Sequence, residues 1–161
     1  MPILPGFTLP APFARIGARL PALPPTLALT TLLNLAPRQL LPRDVLAPLT
    51  GKRVELRVRD AGLVLALTLG PRGFRPAPAG GPADLTMSAT ARDFLALALR
   101  EEDPDTLFFS RRLLMEGDTE LGLLVKNTLD GADWEGLLAQ LPPVRLLRPL
   151  LARLNRRPAA D

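Results

Sequence analysis

Apolar and polar positions alternate most clearly in the middle of the chain. Val54, Leu56 and Val58 are interleaved with Arg53, Glu55, Arg57 and Arg59, the period of a strand with one face in water. Asp60-Ala61-Gly62 supplies hairpin-turn chemistry. The next run puts Leu63, Leu65, Leu67 and Leu69 on one face and Val64, Ala66 and Thr68 on the other. With both faces looking covered, a central strand is expected there. Further short strands are expected around Phe74, over Leu85, Met87 and Ala89, and over Arg111–Glu116, the last ended by Gly117.

Helical spacing brackets these strands. Phe13, Ile16, Gly17 and Leu20 share a face behind Pro12, which suits a first helical turn. Thr26–Ala36 is apolar nearly all round and is stopped by Pro37, and a short helix is expected over Asp44–Leu49. Thr90 and Asp93 have the spacing of a capping box and open a helix with Phe94, Leu95, Ala98 and Leu99 on a common face. Asp118 is placed to cap a helix in which Leu121, Leu124, Val125, Thr128 and Leu129 recur at helical spacing before Gly131. A short piece around Trp134–Leu138 follows. Helices, a meander, a helix, a strand and more helices predict an α+β fold. The expected division is a Pro/Leu-rich extension (1–39), a central domain (40–141) and a basic tail (142–161).

Charge sharpens that division. Residues 1–43 hold four Arg and no acid, the body from 44 to 141 is net −4, and residues 142–161 are net +4. A mildly acidic body between two basic, Leu-rich ends is more informative than the overall +4. The basic residues lack interleaved aromatics, so nucleic acid is not an expected partner. The unbroken apolar run Thr26–Ala36 is 11 residues long, well short of the ~20 that span a bilayer. Pro2, Pro5, Pro10 and Pro12 interrupt anything like a secretory leader. A cytoplasmic protein is expected, soluble or peripheral on the inner membrane.

The chain has no His, Cys or Tyr, and Ser only at positions 88 and 110. An imidazole base, a thiolate nucleophile and zinc sites of ordinary composition are therefore missing. No catalytic residue, metal or cofactor is expected. Glu101, Glu102, Asp103 and Asp105 around Pro104 are the one acidic cluster to weigh. Such acids do general acid–base work or hold a hard cation, or they form a solvated turn.

The segment from Asp103 to Asp130, with its Phe-Phe-Ser-Arg-Arg-Leu and Gly-Asp-Thr-Glu-Leu-Gly stretches, resembles the corresponding part of the UbiT family. These are bacterial accessory factors of ubiquinone biosynthesis that carry a sterol-carrier-protein type 2 domain. The likeness extends more loosely over about Leu40 to Leu141. It implies a five-stranded, mainly antiparallel sheet covered by helices, with an apolar tunnel for a lipid. It also implies service in the oxygen-independent route to ubiquinone beside the UbiU and UbiV hydroxylation proteins, with a polyprenyl quinone precursor or a phospholipid as ligand. No catalytic residue is carried over.

On this resemblance, Phe94, Leu95, Leu99, Phe108, Phe109, Leu114, Leu121, Leu124, Val125 and Leu129 are candidates to line the tunnel; by pattern alone they are ordinary core. Arg111 and Arg112 are headgroup candidates. Strand alternation lets at most one of them face a cavity, and pairing with Asp118 or Glu120 is the competing role. In the tail, Val144, Leu147, Leu151 and Leu154 share a face away from the arginines. Arg145, Leu147, Arg148, Leu151, Leu154, Arg156 and Arg157 are thus candidates to contact an anionic membrane, with docking on the acidic body as the alternative. Two functions remain open: a lipid-binding accessory factor, or a filled scaffold that recruits enzymes without a ligand.

Overall fold

A computed structural model describes residues 6–36, 41–78, 80–133 and 136. The expected element at Trp134–Leu138 and all the tail candidates lie essentially outside these residues. Two helices lead, α1 (Ala11–Arg19) and α2 (Leu23–Leu35), followed by a short α3 (Arg43–Leu46) that tightens into a 3-10 turn (Ala47–Leu49). Then come β1 (Arg53–Val58), β2 (Leu63–Gly70), β3 (Gly73–Pro76) and β4 (Leu85–Ala89). The rest is α4 (Ala91–Ala98), α5 (Pro104–Phe109), β5 (Leu114–Gly117) and α6 (Thr119–Gly131).

The five strands form one α+β sheet in the order β3-β2-β1-β4-β5. All pairs are antiparallel except β1 with β4. As expected, β2 is an interior strand, flanked by β3 and β1, though β1 holds the middle of the sheet and one face of β2 is open enough to leave Val64 43% exposed. The sheet sorts side chains by pleat. Val54, Leu56, Leu65, Leu67 and Met87 face the helices and the core. On the opposite face Glu55 is buried between Arg53 and Arg57, which donate to it at 3.2 and 3.1 Å.

Two sequence readings shift for local reasons. The second helix starts at Leu23, ahead of Pro24 and Pro25, because the first turn needs no intrahelical N–H and tolerates proline. The expected strand over Arg111–Glu116 is shorter and later. Asp103 accepts from the Thr106 amide and Pro104 follows at the first position, so the chain makes α5 first. Arg111 then sits at φ 58° in the left-handed region, which no strand accommodates. Thr90 caps α4 as expected: the Asp93 amide donates to Thr90 Oγ1 at 3.2 Å, and the Thr90 hydroxyl donates to the Asp93 carboxylate at 2.8 Å.

Helix α1 rides directly on the β1–β2 turn. A Cβ on Gly17 would sit 1.7 Å from the Ala61 carbonyl oxygen, and one on Gly62 2.2 Å from that of Ala14. Backbone meets backbone here, so neither side can yield by a rotamer change. Gly17→Ala is expected to cost about 2 kcal/mol and to lift α1 off the turn, read as faster limited proteolysis between α1 and α2.

Candidate functional site

Between the sheet and the helices lies a cavity of about 320 Å³. Its floor is the inward row of the sheet, Val54, Leu56 and Val58 of β1 with Leu65, Leu67 and Leu69 of β2. The walls and roof come from Leu29, Leu32 and Leu33 of α2, Phe94 and Leu97 of α4, and Val125 and Leu129 of α6, with Leu46, Leu49, Phe74 and Met87. The one hydroxyl in the lining, on Thr128, donates to the Leu124 carbonyl at 2.8 Å. The interior therefore offers hydrocarbon and no free polar partner among the described residues. Such a space accepts an apolar chain and excludes a headgroup, whose burial without hydrogen bonds is costly.

Exposure along the lining gives the cavity a direction. Leu46, Leu49, Val54, Leu67 and Leu69 are buried, whereas Val58, Leu65, Phe94, Leu29, Val125 and Leu129 are half-buried. The lining residues that α2, α4 and α6 contribute are, Leu97 apart, half-buried, so the cavity is least covered on its helix side.

One polar latch holds α2 over this space. Asn34 donates through Nδ2 to the Phe74 carbonyl and accepts from the Phe74 amide, both at 2.7 Å. It thereby satisfies the outer edge of β3 as a neighbouring strand would. Gly73, at φ 119°, leaves the room: a Cβ there would lie 2.4 Å from Asn34 Oδ1. Asn34→Ala is expected to cost about 1 kcal/mol, modest because the bonds are exposed, and to speed hydrogen exchange at the Phe74 amide.

Of the tunnel candidates, Phe94, Val125 and Leu129 line the cavity. Leu121 is buried in the core outside it, Leu124 packs against that core, and Leu99 is half-buried outside the lining. Leu95, Phe108, Phe109 and Leu114 correct the expectation: they are 43, 42, 79 and 38% exposed. Helix α5 explains Phe108 and Phe109, because it turns Pro104 and Leu107 inward and leaves its last two residues outside. The lining that the sequence reading missed is mostly β1, β2 and α2, and the unbroken Leu row of β2 was its available signal.

Neither headgroup candidate, Arg111 or Arg112, lines the cavity. Arg111 is exposed in its turn. Arg112 is committed to carboxylates, though not to Asp118 or Glu120. Its Nε donates to buried Asp93 at 3.1 Å, its Nη2 donates to both Asp93 and Glu102, and its Nη1 donates to Glu102. Arg92 adds a bond to Glu102 at 3.1 Å. The acidic cluster is likewise occupied: Asp103 caps α5 and Asp105 pairs with Lys126 of α6. Asp118 caps α6 through the Glu120 and Leu121 amides.

The Arg112 bonds hold the Glu102 carboxyl below its ordinary value of 4.5, against an opposing push from burial. A carboxyl depressed in the folded state stabilises fully above its unfolded pKa, and that contribution fades as pH falls through the folded value. The melting temperature is therefore expected to fall on acidification from about pH 5 to pH 3, and Glu102→Gln to flatten part of that slope.

A sheet covered on one face by helices, with a hydrocarbon-lined cavity between the layers, is the build of a sterol-carrier fold, and the chain belongs to the SCP-2 sterol transfer family, whose model matches residues 29–130. It is similar to the ubiquinone biosynthesis accessory factor UbiT of Escherichia coli K12, 42% identical over 117 residues. That match takes in 73% of this chain and 63% of UbiT, so the chain covers less than two thirds of its relative. Among solved structures, the ubiquinone synthesis protein UbiJ-SCP2 superposes with a TM-score of 0.53 at 24% identity, over 65% of this chain and 92% of its own. That likeness is one of fold.

Proposed function

We propose that this protein is a non-catalytic lipid-binding accessory factor of ubiquinone biosynthesis. The observation that carries the reading is the 320 Å³ cavity with no free polar group among the described residues of its lining; the 42% identity to UbiT supports the pathway. A benzene molecule fills an engineered cavity of about 150 Å³, so this one holds on the order of a dozen carbons. It takes part of a polyprenyl chain or one acyl chain and leaves the ring or headgroup at the open side. The ligand is thus a hydrophobic quinone precursor or a phospholipid, held at the membrane surface and presented to soluble enzymes. On the resemblance to the UbiT family, those enzymes are UbiU and UbiV in the oxygen-independent route.

Mass spectrometry of lipid extracted from the purified full chain tests this. A quinone precursor or phospholipid retained near one per protein is the expected result. Protein that carries none, and takes up none from vesicles, sinks the reading in favour of a scaffold. Loss of ubiquinone in a deletion strain grown without oxygen, but not with it, is the expected pathway result.

A further inference from the structure

Helices α5 and α6 turn large apolar residues outward on an acidic background. Phe109 is 79% exposed, more than any other large apolar residue described, and the Phe108 ring meets it edge-on at 5.8 Å. Leu123 of α6 is 55% exposed. The ion pair of Asp105 with Lys126 ties the two helices side by side. Phe108 and Phe109 stand three and four places after Asp105, and Leu123 three places before Lys126. At those spacings all three neighbour the ion pair on their own helices. The exposed stripe of α6 runs on as Glu120, Leu123, Asn127 and Asp130.

Residues 101–133 hold nine carboxylates and three cations. Two of the cations are spent, Arg112 on Asp93 and Glu102 and Lys126 on Asp105. Arg111 is exposed in its turn, and Arg100, just ahead of this stretch, donates to the Asp130 carbonyl at 3.3 Å. Glu120 and Asp130 have no ion-pair partner among the described residues. Apolar side chains ringed by free carboxylates fit a segment in which leucines are interleaved with cations. The chain itself carries such a segment: residues 142–161 hold five Arg against Asp161, with Val144, Leu147, Leu151 and Leu154 at spacings of three and four. Ten residues, 132–141, join it to the end of α6. Extended, they span up to roughly 30 Å, whereas a helix of the length of α6 is about 20 Å long. The tail can therefore fold back along the whole helix.

We infer that residues 142–161 dock on the α5–α6 face of their own chain, leucines over Phe108, Phe109 and Leu123 and arginines against Glu120 and Asp130. Exposed ion pairs are individually weak, but a short tether raises the local concentration of the segment to the millimolar range, so modest contacts suffice. Of the two roles that the sequence leaves open for the tail, membrane contact and docking on the acidic body, this selects the second and gives it an address. It does not depend on what the cavity holds.

The chain has no cysteine, so Asn155→Cys gives a single attachment point for a nitroxide on the full chain. In the isotope-labelled protein the nitroxide is expected to broaden the amide signals of α5 and α6 most strongly, and to do so less at about 1 M salt, where charges are screened. Glu120→Lys/Asp130→Lys turns two attractions into two repulsions and is expected to lower the docked-to-free ratio about tenfold. Adding Arg148→Glu/Arg153→Glu to it is expected to restore part of the broadening. Both carboxylates are exposed, so the fold is little affected. The milder Glu120→Gln/Asp130→Asn is expected to lower the ratio about threefold and answers a charge reversal that fails to fold. Signals of α5 and α6 left sharp, or broadening spread evenly over the whole surface, overturn the inference. So does broadening that both carboxylate variants leave unchanged. Broadening of an isotope-labelled chain by a nitroxide on a second, unlabelled chain also overturns it and makes the contact one between copies. A nitroxide that leaves α5 and α6 untouched and reports only on added phosphatidylglycerol vesicles overturns it in favour of the membrane.

Discussion

Leu56→Trp is expected to abolish lipid retention while the protein stays folded. Leu56 sits mid-floor on β1, opposite Leu65 and beside Met87, and lines the cavity. A benzene molecule fills about 150 Å³, so an indole in place of the isobutyl group consumes on the order of a third of the 320 Å³ available. Each excluded CH₂ forfeits about 0.8 kcal/mol, and losing about five of them costs roughly 4 kcal/mol, a drop in affinity approaching a thousandfold. The fold loses less than about 2 kcal/mol, because the ring enters existing space rather than a filled core. Lipid per protein by mass spectrometry, with circular dichroism and a melting curve, reads both quantities. Wild-type lipid content in a folded Leu56→Trp protein removes the cavity as the ligand site.

The largest loss of stability is expected from Arg112→Ala. This arginine joins α4, through Asp93, to the turn after it, through Glu102, and its own carbonyl accepts from Arg59 at 3.0 Å. Removing it leaves Asp93, which is 4% exposed, with the Thr90 hydroxyl and the longer 3.8 Å pair to Arg92 in place of a close guanidinium. Uncompensated buried charges cost about 3–5 kcal/mol. Arg112's own side chain is 36% exposed and partly screened, so about 2–3 kcal/mol is expected here, a fall in melting temperature of roughly 10 °C. Arg111→Gly is the matched control: it removes an exposed arginine and relieves a left-handed backbone, so no loss is expected. Equal losses from the two substitutions would refute the assignment of the structural role to Arg112 alone.

The two neighbouring arginines show where sequence reasoning stops. Read as strand residues, they alternate and are equivalent candidates. The Asp103 cap and Pro104 start a helix instead, and the chain leaves it through a left-handed turn that exposes one arginine and drives the other into Asp93 and Glu102. Nineteen residues separate Arg112 from Asp93, and no local pattern links them. Phe108 and Phe109 fail as tunnel residues for the same reason: hydrophobicity was legible, but the face of a one-and-a-half-turn helix was not.

The α+β class, the strand at Arg53–Val58, the β1–β2 hairpin and the caps at Thr90 and Asp118 were legible along the chain, because periods of two and 3.6 and cap chemistry act within a few residues. So was the poverty of catalytic side chains, which is plain composition. Long-range packing alone sets β1 at the middle of the sheet, brings β4 back parallel beside it, and turns the inward apolar rows of β1 and β2 onto a cavity rather than packed side chains. A filled core and a lined cavity demand the same apolar residues at the same spacing. What separates them is the distance between layers, and that is set by where α2, α4 and α6 come to rest on the sheet.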